Sequence, residues 1–502
     1  MVGGSTLVTI MHFSMAQTGT SFSGIISKDT TWTQANSPYT LTGNVLVNAT
    51  LIIQAGTTVN LGSYYMEVNN TLQAIGTSST PITFNGASGA QIIFTQYSTN
   101  WTKGANNGCI VEDAVLASTE ILCESSPNIS YNTFNNTGIY VGCEENEVAP
   151  LILNNVFNNC GVGVGYEQVF GWTQPIISNN IFLGGGIGLG EVAPEGNISA
   201  IVLNNVISGA STGVDIESGG GVGVQVVEGN LIVGNGYGME ISEGIYARGN
   251  NEQMIIPISP IVENNTITDN DYGILFSYAL NSTLLNNNIY NNGNHNLELT
   301  DAAPSNVNAT YNWWGTTDTQ TINQTIYDFK NDFKLGTVSF VPFLDSPNIQ
   351  APTFVNATAG AGGSIVPSGI VRLNYGGSQA FTISPNAGYH IANVLVNGAS
   401  VGAVSSYTVQ NVNGATTISV TFAANPTSTS NPSPTPSSPS PSAIPTASPT
   451  ASPSSTPTTV PEFPSLWVIL TVFIAVSLSI AVLVMGRKSK IIQSSDRARE
   501  KS

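Results

Sequence analysis

Acidic residues recur at equivalent positions of a repeated segment, and carboxylates serve both glycoside hydrolysis and calcium binding. Asp215 and Glu240 each follow a glycine by two residues in successive copies, so we expect their side chains to lie side by side. A solvated acidic face without activity or bound metal is the simpler interpretation. The candidate catalytic residues are Asp215, Glu240, Asp269 and Asp271, and the candidate ligands for Ca²⁺ are Asp215, Glu217, Glu240 and Glu243.

Other catalytic constellations are missing from the sequence. The 3 histidines lie in unrelated segments, so no nucleophile and base stand near each other along the chain. Between residues 29 and 329 the cations are Lys103 and Arg248, and neither lies in an acidic cluster, whereas a polysaccharide lyase needs a basic residue beside carboxylates. The sequence therefore favours a binding protein without enzymatic activity, and the alternatives are a polysaccharide hydrolase or lyase and a purely structural spacer.

Aromatic residues that follow the repeated strands are suited to stacking against sugar rings. The chain carries 30 acidic and 12 basic residues, for a net charge of −18, and no basic stripe that would bind nucleic acid. An acidic surface favours neutral or cationic ligands. We expect a glycan or a divalent cation as ligand, no cofactor other than Ca²⁺, and no nucleic acid as partner. The candidate glycan-stacking residues are Tyr166, Trp172, Tyr237 and Tyr246.

A repeat between residues 120 and 300 positions these side chains. Each copy begins at an asparagine anchor, continues with Phe, Ile or Tyr two residues later, and in most copies reaches a glycine eight residues after the anchor. Successive anchors lie about 25 residues apart, except where an insertion between Gly244 and Pro257 lengthens the interval. This period predicts a coil of three short parallel strands, and an antiparallel sandwich is the weaker alternative. The anchors are Asn132, Asn155, Asn180, Asn205, Asn230, Asn265 and Asn288.

The repeat resembles the right-handed parallel β-helix proteins of the pectate-lyase-like superfamily, particularly the NosD-like, carbohydrate-associated surface proteins of archaea. The resemblance covers about residues 30–345 and includes Asn312-Trp313-Trp314-Gly315, which is typical of the end of such helices. It implies a fold and leaves the chemistry open. We therefore predict an all-β protein whose main domain is a right-handed parallel β-helix.

Residues 354–423 change character, because alternating apolar residues are joined by Asn-Gly turns. This pattern predicts a small antiparallel β-sandwich. The segment resembles the bacterial surface repeat related to the internalin B-repeat family, and such modules act as spacers or weak binders.

The two ends of the chain predict export and membrane anchoring. Residues 1–29 resemble a truncated signal segment, and residues 424–461 form a Pro/Ser/Thr-rich, disordered stalk. Residues 466–485 are uncharged and long enough to span a bilayer, and the basic tail 486–502 places the C-terminus in the cytoplasm. Pro461-Glu462-Phe463-Pro464 resembles a PEF-type sorting signal. We expect a single-pass, cell-surface protein with an extracellular N-terminal ectodomain.

Cysteines and glycosylation motifs agree with an exported chain. Cys123 and Cys143 follow similar strands one repeat apart, so they pair as a disulfide or remain stacked free thiols in the core. The candidate N-glycosylation sites are Asn48, Asn69, Asn100, Asn128, Asn135, Asn197, Asn264, Asn281, Asn308, Asn323 and Asn356.

Overall fold

The structure, a computed structural model, describes residues 19–426 except 103, 106, 143–145, 166–170, 191–196, 219–222, 244, 249–251, 256–258, 278–281 and 301–305. For residues 218, 243, 245–248 and 252–255 it describes the backbone alone. Most of the predicted signal segment and stalk, and all of the predicted membrane helix and basic tail, lie outside the described residues. Within the described part of the chain, no helix is long and apolar enough to cross a membrane.

Residues 20–327 coil into a parallel β-helix whose strands form three faces. The first face contains Thr30–Trp32, Thr50–Ile53, Thr71–Ile75, Ile110–Glu112, Asn128–Ser130, Leu151–Leu153, Ile176–Ser178, Ile201–Leu203, Val226–Glu228, Ile261–Glu263 and Thr283–Leu285. The second face contains Thr58–Gly62, Ile82–Gly86, Ala114–Ala117, Thr133–Asn135, Val156–Asn158, Ile181–Leu183, Val206–Ser208, Leu231–Val233, Thr266–Thr268 and Asn288–Tyr290. The third face contains Tyr65–Val68, Gln91–Phe94, Glu120–Cys123, Ile139–Val141, Val162–Val164, Ile187–Leu189, Thr212–Ser218, Tyr237–Glu243, Tyr272–Ser277, His295–Leu299 and Ile326–Tyr327.

Smaller elements cap the coil and fill its connections. Thr20–Ile26 pairs with Tyr39–Val47, which continues into both the second and the third face, and a 3₁₀ turn spans Gln34–Asn36. The predicted insertion is confirmed as an antiparallel hairpin between the third and first faces. The remaining elements are the hairpin strands Ile245–Arg248 and Glu252–Ile255, the ladder of Glu147–Val148, Trp172–Thr173 and Asn197–Ile198, the pair Val307–Asn308 and Val338–Ser339, and the helix Thr319–Gln324.

The core of the coil is built from side chains that stack on their counterparts in the next coil. Phe134, Phe157 and Phe182 are fully buried, with ring centroids 4.8 Å and 4.6 Å apart and nearly parallel planes. Ile207 and Ile232 continue the same inward row. Successive side chains of a strand point to opposite sides of the sheet, so the residues directly before and after each of these inward positions point outward from the coil. The inward register predicted from the anchors is confirmed for these copies.

The last anchor was placed one residue too late. Ile289, not Tyr290, is the buried partner of Ile267, so the anchor of that coil is Asn287 rather than Asn288. A run of three asparagines, at positions 286–288, made the choice ambiguous in the sequence. The hydrogen bonds resolve it, because Asn265 Nδ2 donates to Asn287 Oδ1 at 3.0 Å.

The anchors form a buried asparagine ladder through the coils. Asn205 Nδ2 donates to Asn230 Oδ1 at 3.0 Å and to the carbonyl of Ile177 at 2.9 Å, while its Oδ1 accepts from both nitrogens of Asn180. The left-handed residue of the turn is the residue before the anchor, for example Asn179 or Asn204 with φ of 57° and 56°. The side chain of the anchor can therefore form hydrogen bonds with the backbone groups of the turn.

Residues 353–424 form a two-sheet module around its own core. One sheet orders Gly369–Leu373, Thr353–Ala359, Thr416–Ala424, Tyr389–Val396 and Ala399–Gly402, and the other contains Gly363–Val366, Gly377–Pro385 and Ser406–Val412. The module is not wholly antiparallel, because Thr353–Ala359 and Thr416–Ala424 pair in parallel. This parallel pair joins the first and last strands of the module in the middle of one sheet. An Asn-Gly turn connects antiparallel neighbours and therefore cannot produce it.

The module packs on the second face of the β-helix. Phe354 is buried against Val206, Leu231 and Val233, which point outward from that face. The guanidinium of Arg372 donates to Asn204 Oδ1 at 2.9 Å and to the carbonyl of Gly229 at 2.8 Å. Both parts belong to one compact unit of the chain. The second face is therefore partly covered, and the third face carries the candidate site.

Candidate functional site

The middle outward position of each third-face strand forms one continuous row, which we call the central row. Strand register aligns its members coil by coil. Adjacent members stand about 4.8 Å apart along the axis because that is the spacing of hydrogen-bonded strands. From Tyr140 onward the central row is Tyr140, Gly163, Gly188, Asp215, Glu240, Leu275, Glu298 and Tyr327.

Asp215 and Glu240 occupy the middle of the central row. Their predicted register is confirmed, because the two residues are direct partners on adjacent strands. Burial raises the pKa of Asp215 to about 6, and the negative charges of Glu240 and then Glu217 add to the effect. Two neighbouring carboxyls, of which one keeps its proton to higher pH, can together donate and accept hydrogen bonds. Their roles in catalysis or metal binding stay predictions.

The structure does not bring the other acidic candidates into this pair. Leu275, and not an acid, follows Glu240 in the central row. Asp269 lies in the turn between the second and third faces with φ of 55°, and burial raises its pKa. Asp271 is exposed in the same turn. The repeat glycine, Gly273, comes after both of these residues, so neither can reach the strand position that Asp215 and Glu240 share.

The candidate metal ligands are only partly described. Glu217 is exposed, two residues beyond Asp215, and faces outward on the same strand. Glu243 is described by its backbone alone, which pairs with Ser218. Among the described residues, no group of three or more His, Cys, Asp or Glu side chains is arranged to hold a metal ion. Calcium binding therefore stays a prediction.

An aromatic row runs beside the acidic pair on the third face. It consists of Tyr237, Tyr272, His295 and Tyr327. The rings of Tyr237 and Tyr272 stack with centroids 5.1 Å apart, and His295 lies 5.3 Å from the ring of Tyr327. His295 Nδ1 lies 2.8 Å from Glu298 Oε2. The sequence singled out only Tyr237, yet Tyr272 also directly precedes a repeat glycine and was recognisable by the same rule.

Of the remaining glycan-stacking candidates, Trp172 has a described side chain. Trp172 is 42% exposed and belongs to the small ladder that connects the third face to the first. Tyr166 lies outside the described residues. The backbone of Tyr246 belongs to the hairpin, but its side chain is not described. The structure thus brings Tyr237 near the acids and leaves the roles of the other three as predictions.

A groove of about 720 Å³ opens farther along the same face, between the loop 87–90 and the strand Ile139–Val141. We call it the glycine groove because Gly138, Gly161 and Gly186 line it. A Cβ on Gly161 would stand 2.0 Å from the carbonyl oxygen of Gly186, so the tight stacking of the coils requires glycine there. Tyr140 forms part of the floor and is 37% exposed.

The cysteines described in the structure are free thiols. Cys123 is fully buried with its pKa raised by burial, and Val141 is its partner in the strand register. Cys143 lies outside the described residues, so the disulfide stays a prediction that this register does not favour. Cys109 is buried and Cys160 half-buried. Of the glycosylation candidates, Asn128 is buried and Asn281 lies outside the described residues, whereas Asn48, Asn100, Asn308 and Asn323 are exposed.

Comparison with known proteins adds little to this geometry. No family model matches the chain, and no curated protein matches it. The chain is similar to the crystal structure of a mutant of the periplasmic alginate epimerase AlgG, with 11% sequence identity, coverage of 61% of this chain and 77% of that chain, and a TM-score of 0.33. A likeness this weak carries no argument about substrate or activity.

Proposed function

We propose that the protein is a non-enzymatic cell-surface adhesin or envelope component whose β-helix binds glycan on its third face. The observation that supports this most is the aromatic row beside the acidic pair. The rings of Tyr237 and Tyr272 stack on each other, and Tyr237 precedes Glu240 by three residues on the same third-face strand. Flat rings bind the apolar faces of sugars, and carboxyl groups exchange hydrogen bonds with their hydroxyls.

The rigidity of the face favours this function. Each of these side chains projects from a hydrogen-bonded strand whose neighbours pack into the core, so little ordering accompanies binding. The third-face strands carry no Lys or Arg, while they carry Glu67, Glu120, Asp215, Glu217, Glu240, Glu243 and Glu298. Acidic polysaccharides would be repelled, and neutral or amino sugars are the matching class.

The cell-surface part of the proposal comes from the sequence alone. Residues 466–485 would anchor the chain, residues 424–461 would hold the ectodomain away from the bilayer, and the basic tail would remain in the cytoplasm. Deleting residues 466–502 should release the ectodomain into the medium. Persistent membrane association of the shortened chain would contradict the anchor.

A surface glycoside hydrolase is the second candidate, and the acidic pair supports it. The backbones of Asp215 and Glu240 are one strand spacing apart, about 4.8 Å, which would allow their carboxyls to approach the separation of about 5 to 5.5 Å that retaining hydrolases use. The raised pKa of Asp215 suits a general acid. A lyase is less well supported, because the third-face strands lack the basic side chain that abstracts the proton.

A glycan array probed with residues 19–426, with and without Ca²⁺, tests these alternatives together. Retention of a neutral or amino glycan without release of reducing sugar supports the binding protein. Reducing-sugar release that Asp215→Asn abolishes supports the hydrolase. Retention only with Ca²⁺ supports the metal site, and failure to retain any glycan contradicts both candidates and leaves a structural spacer.

A further inference from the structure

One position of the central row, between the glycine groove and the acidic pair, is a glycine although the surrounding packing does not require one. In the central row Gly163 and Gly188 stand between Tyr140 and Asp215. Gly161 and Gly186 are required by the close approach of the next coil. At Gly188, by contrast, an added Cβ would meet nothing within 4 Å, and the backbone is not left-handed. The fold would accept almost any residue there.

A glycine in a strand interior weakens the strand, and it often marks a place where a ligand approaches the backbone closely. Glycine is less favourable than alanine within regular structure, so Gly188 lowers stability without a packing contact in return. Gly188 is the strand partner of Gly163, which lines the groove, and of Asp215, so a notch of bare backbone lies between the groove and Asp215. Packing therefore does not explain why this surface is left open.

Tyr140 gives the groove an aromatic floor. A Cβ on Gly163 would stand 2.9 Å from Cδ1 of the Tyr140 ring, so the ring lies against the bare backbone of the next coil. Any larger residue at position 163 would push the ring away. The ring therefore has a defined orientation, with part of its surface exposed to the groove.

Polar groups stand at the far wall of the groove. Gln91 Nε2 donates to Glu120 Oε1 at 2.7 Å, and both side chains are half-buried and line the cavity. An aromatic floor with a few fixed hydrogen-bonding groups is the usual composition of a small-ligand site, and its volume lies within the range of about 300–1,000 Å³ of such sites. The carboxylate of Glu120 also disfavours an acidic sugar.

We propose that the glycine groove is a second glycan subsite, in which Tyr140 stacks against a neutral or amino sugar ring and the notch at Gly188 lets the chain continue toward Asp215. This inference rests on the proposed glycan binding and extends it to a named subsite. The coil of Tyr140 and the coil of Tyr272 are five strand spacings apart, about 24 Å at 4.8 Å each. A glycan must be long to contact both.

The test fills the notch and leaves the aromatic row intact. Gly188→Tyr places a ring in open space at an outward strand position, where aromatic residues are favoured. Leu183→Tyr is the matched control, because Leu183 is exposed on the second face of the same coil. Binding of glucose and N-acetylglucosamine oligomers of increasing length is measured by titration calorimetry, with galacturonate oligomers as the acidic comparison. Tyr140→Ala provides a second variant.

Wild type and Leu183→Tyr should bind long oligomers at least tenfold more tightly than short ones, and Gly188→Tyr and Tyr140→Ala should lose this gain while still binding short oligomers. If Gly188→Tyr unfolds, the Tyr140→Ala result decides. Equal length dependence in all four proteins would overturn the second subsite and leave the proposed glycan binding standing. No binding of neutral or amino oligomers by wild type, or preferred binding of galacturonate, would overturn both.

Discussion

Asp215 and Glu240 are direct partners on adjacent strands of the third face, so two outward carboxyls share one row of a parallel sheet. Burial and the charge of Glu240 hold the pKa of Asp215 at about 6. Like-charged neighbours in a sheet are destabilising when both are ionised. A pair of this kind is retained at the expense of stability, which is what a ligand-binding position requires.

The stability of the protein should fall as the pH rises from about 4 to 6. The folded state holds the Asp215 proton up to a pKa of about 6, whereas the unfolded chain releases it near 3.8, so the unfolded state binds fewer protons in this window. Asp215→Asn should remove this part of the pH dependence, and the exposed Asp271→Asn should keep it. Denaturant midpoints measured across the window check this, and parallel curves for wild type and Asp215→Asn would contradict it.

Tyr272→Ala should weaken glycan binding about tenfold, equivalent to about 1.4 kcal/mol. Its ring stacks on that of Tyr237 at 5.1 Å and offers a surface to a sugar, and an aromatic contact contributes about 0.5–1.5 kcal/mol beyond buried area. Tyr97→Ala is the control, because Tyr97 is 70% exposed and lies in the turn after Gln91–Phe94, several coils away from Tyr272. Calorimetry with a long neutral oligomer distinguishes the two, and an equal loss in both variants would argue against the aromatic row.

Asn205→Ala should open the β-helix locally. Asn205 joins Asn180 to Asn230 within the core, and its removal leaves buried donors and acceptors without partners, at about 1–3 kcal/mol each. Each coil contacts only its neighbours, so hydrogen exchange should accelerate first between residues 180 and 230. Asn158→Ala is the control, because Asn158 bonds to Asn135 on the outside of the coil. Unchanged exchange in Asn205→Ala would contradict the ladder's role.

Arg372→Ala should loosen the module from the second face. The guanidinium bonds to Asn204 and Gly229 across the interface, and burial lowers its pKa to about 10. Removing it leaves both acceptors buried without that donor, and limited proteolysis should then cut the connection near residues 344–352. Arg372→Lys should be intermediate, because a single ammonium cannot reproduce the planar fork. Equal protease resistance in wild type and Arg372→Ala would show that the apolar contacts of Phe354 suffice.

The sequence predicted the coil well, because its physical causes are local and repeated. Buried phenylalanines and isoleucines, turn asparagines and close-packed glycines recur at one period, so the register of Asp215 on Glu240 followed directly. One anchor was misplaced because Asn287 and Asn288 both fit the pattern: the residues two positions later are Ile289 and Tyr290, and either is acceptable there.

Contacts between distant segments left no such periodic signal. The docking of Arg372 on Asn204, the parallel strand pair in the module and the position of Tyr140 over Gly163 each depend on how separate segments meet in space. Within the aromatic row the sequence singled out Tyr237 and overlooked Tyr272, which the repeat also marks, whereas Tyr327 belongs to a coil beyond the recognisable repeats.

Hydroxyl-radical footprinting of the protein with a saturating neutral or amino oligosaccharide is the most direct test that the third face binds glycan. The account predicts protection of Tyr140, Tyr237 and Tyr272 on binding, with Tyr97 and Tyr389 oxidised as fast as in the free protein. Protection confined to Tyr97 or Tyr389, while the third-face tyrosines stay fully reactive, would contradict it.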